Sequence, residues 1–444
     1  MSPTKEIPQV PLSKFLRHAF SIVKNPLPFH HKNFSEKGNT FILNIGFKTK
    51  VFFSRDAVFL NHVLKTNQKN YTKSKIQTED VAKYVGKGLL TSEGELWKKQ
   101  RKLIQPAFHK KQLEALLVKI QNAILSEYKR IDNNSLINIF PILNDLAFQT
   151  VVKSLFSSAA NPKDIKRLQY ITETTQSMLV RELRQPYLNW WFKFNGTIKR
   201  NIKLAEEAKK ILKRIVDERR VSNKKENDLL DMLLEAKYDD GNFMDEKQLI
   251  DEILILFTAG HETTSNALTF TFQLLALHPE WQEKIYDQIN TIEKESGDLM
   301  TLVSKSKICQ QVIEESMRLY PPAYFIDRVN IEPDYFNGLE FKADSNLLFS
   351  IYEIHRHSEL WKNPLDFLPE RFEDGGRQYS SHYFPFGAGP RKCIGNNFAM
   401  FEMIIAVSEL VKQYKITPQF EAIEITPLIT LKPKNAILKF TKRD

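Results

Sequence analysis

The longest regular pattern in the chain lies between Asp245 and Pro279. Apolar residues recur at intervals of three and four from Leu249 to Leu277, as on one face of an α-helix. Aspartate is a common N-cap, so Asp245 predicts where the helix begins, and His278 with Pro279 predicts where it ends. At about 1.5 Å per residue, such a helix is about 45 Å long. A helix of this length crosses a whole domain, so the rest of the chain must fold around it.

The remaining segments predict a mainly α-helical fold with a minor β portion. Apolar residues repeat at helical spacing in 113–131 and 204–220, and apolar and β-branched residues predict short strands in 38–55, on either side of Gly46 and Lys48. Later turns and a last helix are predicted at Asn337-Gly338, at Gly375-Gly376 and after Gly395. No Gly/Ser-rich linker, repeat or low-complexity tract interrupts the 444 residues, which favours a single domain over 1–444.

The chain is basic, with 64 lysines and arginines against 53 acidic residues and a net charge of +11. An excess of basic residues is typical of proteins that bind nucleic acid, an anionic membrane or an acidic partner protein, and it also occurs on surfaces that are simply solvated. No basic run is interleaved with stacking aromatic residues, so nucleic-acid binding is not expected. The first twenty residues hold neither a signal-peptide apolar region nor about 20 consecutive apolar residues, so neither secretion nor a membrane anchor is expected.

Cysteine usage points to a reducing compartment. Cys309 and Cys393 are the only cysteines, which is too few for a disulfide framework. We therefore expect a cytoplasmic protein in which one cysteine is kept for chemistry.

The segment 386–395, Phe-Gly-Ala-Gly-Pro-Arg-Lys-Cys-Ile-Gly, places two glycines before Cys393 and one after it. Glycine lets a backbone turn tightly and lie flat against a large planar ligand. Backbone amides beyond Cys393 and the positive end of the following helix favour a thiolate. A thiolate bound to haem iron pushes electron density toward dioxygen and favours cleavage of the O–O bond. The pattern also fits a buried structural cysteine, or a glycine loop that binds phosphate ahead of a helix.

The cysteine segment resembles the signature of the cytochromes P450, and the resemblance covers nearly the whole chain. Four further segments match motifs of that family, namely Trp97 with Arg101 (WxxxR), 259–264 (the oxygen-binding groove), 315–318 (ExxR) and 369–372 (PERF). The resemblance implies the cytochrome P450 fold, a helical domain plus a small β-rich region around a buried haem b.

The resemblance also implies roles for individual residues. Cys393 is expected to be the axial ligand of the haem iron, and Glu262 and Thr263 are expected to be catalytic, delivering protons while dioxygen is split. The residues expected to bind the cofactor are Trp97, Arg101, Ala259, Arg328, Phe386, Arg391, Cys393 and Gly395. The residues expected to brace the cysteine segment without reacting are Glu315, Arg318 and Arg371.

The ExxR and groove residues also support predictions that do not depend on the family resemblance. Glu315 and Arg318 are three apart and share a helix face, and such a pair taken alone is most often a surface salt bridge. Gly260 inside a helix costs about 1 kcal/mol relative to alanine, and Thr263 and Thr264 compete for backbone carbonyls. These residues predict a locally opened helical turn.

Read in isolation, the groove sequence His261-Glu262-Thr263-Thr264 also fits a solvated patch on an amphipathic helix. It does not predict a zinc site. His261 and Glu262 are adjacent and face different directions, and no second histidine follows at i+4.

Electrons must come from a separate protein, because the chain has no flavin or nicotinamide fingerprint and no cysteines for an iron–sulfur cluster. The expected partners are a ferredoxin and an NAD(P)H-dependent ferredoxin reductase. The residues expected to attract an acidic ferredoxin are Lys98, Lys99, Arg101, Lys102, Lys110, Lys111 and Lys392, and a merely solvated basic face fits the same residues.

The substrate is the least constrained feature. The chain resembles marine bacterial members of the family that demethylate 6-O-methyl-D-galactose from porphyran to galactose and formaldehyde. Hydroxylation of a fatty acid or a terpenoid is the alternative. The aromatic residues expected near a substrate, or else in packing, are Tyr84, Trp190, Trp191, Tyr324 and Phe325.

Two other classes of haem protein remain as alternatives. A haem sensor that does not turn over, or an enzyme driven by peroxide, would normally lack the acid and alcohol pair. Glu262 and Thr263 supply that pair here, so a monooxygenase that uses O2 and a small-molecule substrate is expected.

Overall fold

The computed structural model describes residues 5–46, 49–157, 160–222 and 224–443. Helices dominate and the strands are short, so the predicted mainly α fold with a minor β portion is confirmed. Lys48, which was predicted to lie between the two strands of 38–55, lies outside the described residues. Among the described helices, none combines the length and apolarity needed to cross a membrane.

The elements are numbered in chain order. The α-helices are α1 Leu12–Arg17, α2 Ala19–Lys24, α3 Leu27–Lys37, α4 Ala57–Asn61, α5 Ala82–Val85, α6 Gly94–Ile104, α7 Lys110–Glu114, α8 Leu117–Tyr128, α9 Phe140–Phe156, α10 Pro162–Arg184, α11 Asn189–Phe194, α12 Thr197–Ser222, α13 Leu229–Glu235, α14 Glu246–Leu277, α15 Pro279–Glu295, α16 Leu299–Lys305, α17 Lys307–Leu319, α18 Ile351–Ile354 and α19 Asn396–Gln413. The strands are β1 Gln9–Val10, β2 Thr40–Gly46, β3 Thr49–Ser54, β4 Tyr71–Thr72, β5 Leu136–Asn138, β6 Phe325–Asn330, β7 Asp334–Phe336, β8 Leu339–Phe341, β9 Asn346–Ser350, β10 Tyr414–Pro418, β11 Ile425–Pro427, β12 Leu431–Pro433 and β13 Ile437–Lys442.

The chain forms two compact units, each assembled from three separate stretches. The first unit holds the described residues of 1–74, 314–393 and 425–432, and the second holds those of 75–313, 394–424 and 433–444. The single domain expected from the lack of a linker stays a prediction.

The first unit is built on a six-stranded sheet in the order β1-β2-β3-β9-β6-β4. The strands predicted in 38–55 are its antiparallel pair β2 and β3, and β3 then pairs in parallel with β9. Aromatic side chains fill its core, with the rings of Phe41 and Phe53 stacked 5.4 Å apart and Phe59 packed 4.8 Å from Phe341. Such ring pairs bury large apolar areas and hold the sheet against its helices.

The second unit is a helical bundle around α14. Phe148 of α9 packs edge-on against Phe257 of α14, with their ring centroids 4.8 Å apart. The side chain of Asp245 accepts a hydrogen bond from the amide of Gln248, so the predicted N-cap is confirmed. The predicted end at His278 is confirmed too, because α15 begins at Pro279, where a missing N–H does no harm.

The helix predicted over 113–131 is interrupted and appears as α7 and α8, separated at Ala115 and Leu116. Leu116 and Leu117 are both buried. Adjacent residues of a regular helix point about 100° apart, so the break lets both side chains enter the core.

Candidate functional site

The candidate residues divide between the two units. The first unit contains Glu315, Arg318, Arg328, Arg371, Phe386, Arg391 and Cys393, and the second contains Trp97, Arg101, Ala259, Glu262, Thr263 and Gly395.

The cysteine loop, residues 386–393, closes on itself and presents a thiol. The backbone N–H of Cys393 donates to the carbonyl oxygen of Phe386 at 2.9 Å, and the segment between them contains the 3-10 turn Gly389–Arg391. The thiol of Cys393 is exposed, whereas Cys309 is fully buried. Burial raises the pKa of the Cys309 thiol to about 12. Of the two cysteines, Cys393 alone is placed to bind a ligand.

The glycines of the cysteine loop are required by the backbone. Gly387 and Gly389 both have φ of +68°, in the left-handed region that favours glycine. A Cβ atom on Gly389 would collide with the carbonyl oxygen of Leu64. Close approach to Leu64 is thus a reason for glycine at 389, in addition to the flat ligand surface expected from the sequence.

Glu315, Arg318 and Arg371 meet in the interior of the first unit. Nε and Nη2 of Arg318 donate to the two carboxylate oxygens of Glu315 at 2.7 and 2.8 Å, and Nε of Arg371 donates to the same carboxylate at 3.3 Å. The side chains of Glu315 and Arg318 are 0% exposed. The pair is therefore not the surface salt bridge that is typical of an isolated ExxR sequence, because both charges are buried in a bidentate pair.

The guanidinium of Arg318 also satisfies main-chain carbonyl groups. Nη1 donates to the carbonyl oxygens of His355 and Pro364, each at 2.7 Å, and Nη2 donates to that of Asp366 at 3.0 Å. The amide of Leu368 donates to Glu315 at 2.9 Å. A buried charge that fills all its hydrogen-bonding positions fixes the path of the 355–368 segment.

His355 extends this network to the cysteine loop, and no sequence signal singled it out. Its Nε2 accepts a hydrogen bond from the amide of Phe384 at 2.9 Å, two residues before Phe386. Burial, with the charges of Arg318 and Arg356, holds the pKa of His355 well below its usual range. The ring is therefore neutral, as its acceptor role requires. The brace runs from Arg318 through His355 to Phe384.

The two candidate arginines of the first unit lie on different elements. Arg328 lies in β6, is 9% exposed and donates through Nη1 to the carbonyl oxygen of Asp327 at 2.7 Å. The carboxylate of Asp327 accepts a hydrogen bond from Ser74. Arg391 is half-buried in the 3-10 turn of the cysteine loop. Both are cations of limited exposure in the unit that contains Cys393.

In the second unit, the middle of α14 leaves one narrow stripe accessible. Ala259 is exposed, Gly260 and Thr263 are half-buried, and Glu262 is buried at 8% exposure. The hydroxyl of Thr263 donates to the carbonyl oxygen of Ala259 at 2.9 Å. The spacing of 259, 260 and 263 places these residues on one helix face. An alcohol thus lies on an accessible stripe of small residues beside a buried carboxyl group.

The opened turn expected at Gly260 is not present. The α14 helix is continuous, because the Thr263 hydroxyl reaches the carbonyl of Ala259 without breaking the helix. Gly260 instead allows close helix packing, since a Cβ there would lie 3.1 Å from Cγ2 of Val151 on α9. His261 packs its ring on Phe148 at 5.3 Å, so the groove residues are not a solvated patch.

Trp97 and Arg101 lie one turn apart on α6, and Nε of Arg101 donates to Oε1 of Gln105 at 3.0 Å. Both side chains are half-buried. Gly395 is the N-cap residue of α19, and its carbonyl oxygen accepts from the amide of Ala399 at 2.9 Å. Its φ of −87° is open to any residue, so the backbone does not demand glycine there.

The loop 86–92, which precedes α6, is held by two acidic residues of α14 that sequence reasoning missed. The amide of Lys87 donates to Asp251 at 2.9 Å and the amide of Leu89 donates to Glu252 at 3.0 Å. Lys209 of α12 lies 2.6 Å from the other carboxylate oxygen of Asp251. The sequence did contain a signal for this contact, because two adjacent acidic residues interrupt the apolar pattern of the long helix.

The aromatic residues expected near a substrate differ in their surroundings. Tyr84 is buried, and its hydroxyl donates to Glu182, which also pairs with Lys83. The hydroxyl of Tyr324 donates to the carbonyl oxygen of Leu428. Trp190 and Trp191 are exposed to solvent. Tyr84 and Tyr324 therefore have structural partners, and the tryptophan pair has an open surface.

Comparisons with known proteins extend over nearly the whole chain. The family model described as "Cytochrome P450" matches residues 8–440. The chain is 26% identical to the pentalenene oxygenase of Streptomyces avermitilis, over 96% of this chain and 95% of that protein. It is 29% identical to the cytokinin hydroxylase of Arabidopsis thaliana, over 96% and 87%. A solved structure described as "Crystal structure of cytochrome P450DA heme domain" has the same fold, with a TM-score of 0.86, 19% identity and coverage of 100% and 99%.

Proposed function

Because this chain belongs to the cytochrome P450 family and is a monooxygenase, we propose that it binds haem b through the thiolate of Cys393 and oxygenates a small molecule. The observation that carries the proposal is the exposed thiol at the end of a closed, internally braced loop. Haem b, when bound, supplies the iron at which dioxygen is activated and split. The residues present fit that cofactor, since the chain offers one exposed sulfur ligand and cations of limited exposure.

Four side chains with N–H donors are proposed to bind the haem propionates. Phe386 and Gly395, on either side of Cys393 in the sequence, are proposed to contact the haem. A propionate in an apolar pocket needs charge-assisted donors. The proposed donors are Trp97, Arg101, Arg328 and Arg391. Ala259 leaves space on the accessible stripe of α14 because its side chain is a single methyl group.

Glu262 and Thr263 are proposed to move protons. The Thr263 hydroxyl donates to the Ala259 carbonyl, so its oxygen keeps lone pairs that can accept a proton. Glu262, next to it on α14, is a buried carboxyl group that can exchange protons with the hydroxyl or with water. Together they supply the two protons that dioxygen needs when one oxygen atom leaves as water.

The test of the iron ligand is Cys393→Ser in haem-loaded protein. We expect the reduced carbon monoxide complex of the variant to lose the thiolate-type spectrum, while Cys309→Ser keeps it. Retention of that spectrum in Cys393→Ser, or failure of the wild type to take up haem, would contradict the proposal.

The electron donor is proposed to be an acidic ferredoxin reduced by an NAD(P)H-dependent reductase. Lys98 pairs with Glu95, and Lys102 pairs with Asp239, each at 2.7 Å. Lys99, Lys110 and Lys111 are exposed and form no ion pair with the described residues. Their charges are therefore available to an acidic partner, and complementary charge raises association rates.

Charge reversal tests the ferredoxin proposal. We expect Lys99→Glu/Lys110→Glu/Lys111→Glu to slow ferredoxin-dependent reduction by about tenfold or more at low salt, and the difference to shrink at high salt. A matched control is Lys163→Glu/Lys294→Glu/Lys307→Glu, which also reverses three exposed lysines. Equal reduction rates in the two variants would show that the Lys99, Lys110 and Lys111 surface does not attract the donor.

The substrate is proposed to be 6-O-methyl-D-galactose, on the basis of the resemblance to marine bacterial demethylases. One oxygen atom of O2 enters a C–H bond of the methyl group, and the resulting hemiacetal separates into galactose and formaldehyde. The other oxygen atom leaves as water with two electrons and two protons. Terpenoid hydroxylation is the second candidate, because one relative is named pentalenene oxygenase.

A comparative assay separates these functions. We expect NADH-dependent formaldehyde release from 6-O-methyl-D-galactose with ferredoxin and its reductase, and little product with hydrogen peroxide alone. Binding of methylated sugars, fatty acids and terpenoids is followed in parallel by the spin-state shift of the haem. A shift with a terpenoid or fatty acid and none with the sugar would replace the proposed substrate. Product with peroxide alone would point to a peroxide-driven enzyme, and no turnover with any donor would point to a haem sensor. A cytoplasmic location is also proposed, because Cys309 and Cys393 form no disulfide bond.

A further inference from the structure

The loop 86–92 is held against α14 through its own backbone. Besides the two amides that donate to Asp251 and Glu252, the carbonyl oxygen of Lys87 accepts a hydrogen bond from Nε2 of Gln248 at 2.7 Å. The three α14 residues are spaced three and one apart, so their side chains leave the helix on one face. Asp251 and Glu252 are 3% and 0% exposed, and buried carboxylates are costly to separate from their donors. The loop is therefore firmly attached to the long helix.

The two glycines of the loop are required by this attachment. A Cβ atom on Gly86 would collide with the carboxylate of Asp251, and one on Gly88 would collide with the carboxylate of Glu252. The φ of Gly88 lies outside the left-handed region, so close approach accounts for glycine there. The backbone thus lies directly against both acids, where a residue with a side chain would not fit.

The far end of the loop leads into α6 without slack. The hydroxyl and the amide of Ser92 both donate to the carbonyl oxygen of Gly88 at 2.7 Å. The hydroxyl of Thr91 donates to the carbonyl oxygen of Gly86 at 2.7 Å and accepts from the amide of Gly88 at 3.1 Å. The α6 helix begins two residues after Ser92 and contains Trp97 in its first turn. The position of Trp97 therefore depends on how α14 holds the loop.

We propose that Asp251 and Glu252 are positioning residues for the haem, which hold the loop 86–92 and thereby place Trp97 where a propionate binds. The inference rests on the proposed function, because it takes Trp97 as one of the propionate donors. Hydrogen bonds weaken steeply with distance and misalignment. A loop displaced from α14 would therefore loosen the contact between Trp97 and the propionate. The two acids act through the loop and not by contact with the haem.

The same helix carries the two residues that are proposed to move protons. Glu262 and Thr263 lie eleven residues beyond Asp251 and Glu252, about three turns and 16 Å along the continuous α14. One rigid element thus holds the proton-moving pair and, through the loop, a propionate donor. Two other roles of the acids predict different results, namely general stabilisation of the fold and the electric field of their negative charge.

Transfer of haem from the loaded full chain to apomyoglobin tests the positioning role. Glu252→Leu removes the acceptor of the Leu89 amide, and Gly88→Ala displaces the loop from Glu252 without changing any charge. We expect both variants to raise the rate of haem loss about tenfold. Glu252→Gln keeps a side-chain acceptor and should stay within about threefold of the wild type. Equal losses in Glu252→Gln and Glu252→Leu would assign the effect to charge and overturn the proposal.

The reduction potential of the iron gives a second measurement. In Gly88→Ala the propionate keeps more of its negative charge, because its donor is displaced. Negative charge opposes the addition of an electron, so the potential should become more negative. A potential equal to that of the wild type, with haem loss also unchanged, would overturn the proposal.

A double variant shows whether the acids act through Trp97. Trp97→Phe alone should also raise the rate of haem loss. In that background Glu252→Leu should add less than about twofold, because residues that act on one contact are not additive. Fully additive losses would show that Glu252 acts by another route and would overturn the proposal.

Ile292→Ala separates positioning from a general loss of stability. Ile292 is 4% exposed on α15, away from the loop in sequence, and its truncation should lower Tm. Well below that Tm, its rate of haem loss should remain within about twofold of the wild type. Haem loss as fast as in Glu252→Leu would overturn the proposal. A wild type that takes up no haem would contradict the proposed function itself, whereas wild-type rates in Glu252→Leu and Gly88→Ala would overturn only this inference.

Discussion

Nη1 of Arg318 lies 2.7 Å from the carbonyl oxygen of His355, and Nε2 of His355 lies 2.9 Å from the amide nitrogen of Phe384. A buried arginine thereby fixes the backbone of a neutral histidine, whose ring holds the chain two residues before the cysteine loop. The position of the Cys393 thiol thus depends on a network that contains no reacting group.

His355→Ala should weaken the attachment of the cysteine loop. The amide of Phe384 would lose its acceptor, at a cost of about 1–3 kcal/mol, because a buried N–H is left unpaired. We expect a lower Tm and a carbon monoxide complex of haem-loaded protein that loses its thiolate-type spectrum more readily on warming. His355→Gln retains a side-chain acceptor and should recover part of both losses. Identical behaviour of the alanine variant and the wild type would remove His355 from the brace.

Glu315→Gln should lower the free energy of unfolding by more than the loss of one exposed charge would. The variant leaves Arg318 and Arg371 buried beside a neutral amide, and breaking a buried ion pair in this way costs about 3–5 kcal/mol. Urea unfolding measures the loss. Glu295→Gln is the control, because Glu295 pairs with Lys305, both side chains are more than half exposed, and the loss should cost less than about 1 kcal/mol. Equal losses of unfolding free energy in Glu315→Gln and in the control would show that burial does not strengthen the ion pair.

The local features of this fold were predicted correctly from the sequence. The Asp245 cap, the end of α14 at His278 and the strand pair in 38–55 depend on residues close together in the chain, and each is found. The cysteine segment and the ExxR pair could be located in the same way. The roles of single residues beyond such motifs were harder to predict.

The features that were not predicted from the sequence depend on contacts between residues that are distant in the chain. His355 has no neighbouring motif, and its importance comes from Arg318 and Phe384, thirty or so residues away on either side. Gly260 suggested an opened turn, but the reason for glycine is Val151 on another helix. Packing partners of this kind are set by the tertiary fold, which a local pattern does not contain.

Lys209→Met should loosen the loop 86–92. Asp251 now receives hydrogen bonds from both the Lys209 ammonium and the Lys87 amide, and the variant leaves only the second. We expect amide hydrogen exchange at Lys87 to rise about tenfold. Lys213→Met, which removes two exposed ion pairs of α12, with Asp217 and with Glu246, should change that exchange less than twofold. Equal exchange in both variants would show that Lys209 does not hold the loop.

Thr263→Ala should separate electron use from product formation. The variant keeps the helix and the haem, but it lacks the hydroxyl that is proposed to pass protons. We expect NADH oxidation to continue while product per NADH falls about tenfold or more, with hydrogen peroxide accounting for the difference. Thr263→Ser retains a hydroxyl and should remain largely coupled. Full coupling in the alanine variant would remove Thr263 from the proton path.

His30 predicts a specific loss of stability in acid. Its ring lies between Phe53 and Phe325, at 4.7 and 5.5 Å, and burial lowers its pKa from 6.5 to about 3. Between these values the unfolded chain binds a proton that the folded chain does not. The free energy of unfolding therefore falls as the pH falls below 6.5, by up to about 1.4 kcal/mol per pH unit.

His30→Phe keeps an aromatic ring in the same cluster but cannot take up a proton. From pH 7 to pH 5 the wild type should lose about 2 kcal/mol more unfolding free energy than this variant, measured by urea unfolding at both values. His109→Gln, at an exposed histidine, should follow the wild type. Other buried histidines, such as His355, add their own acid sensitivity to all three proteins, so the difference between His30→Phe and the wild type isolates His30. Parallel losses in these two proteins would mean that His30 takes up its proton as readily in the folded chain as in the unfolded one.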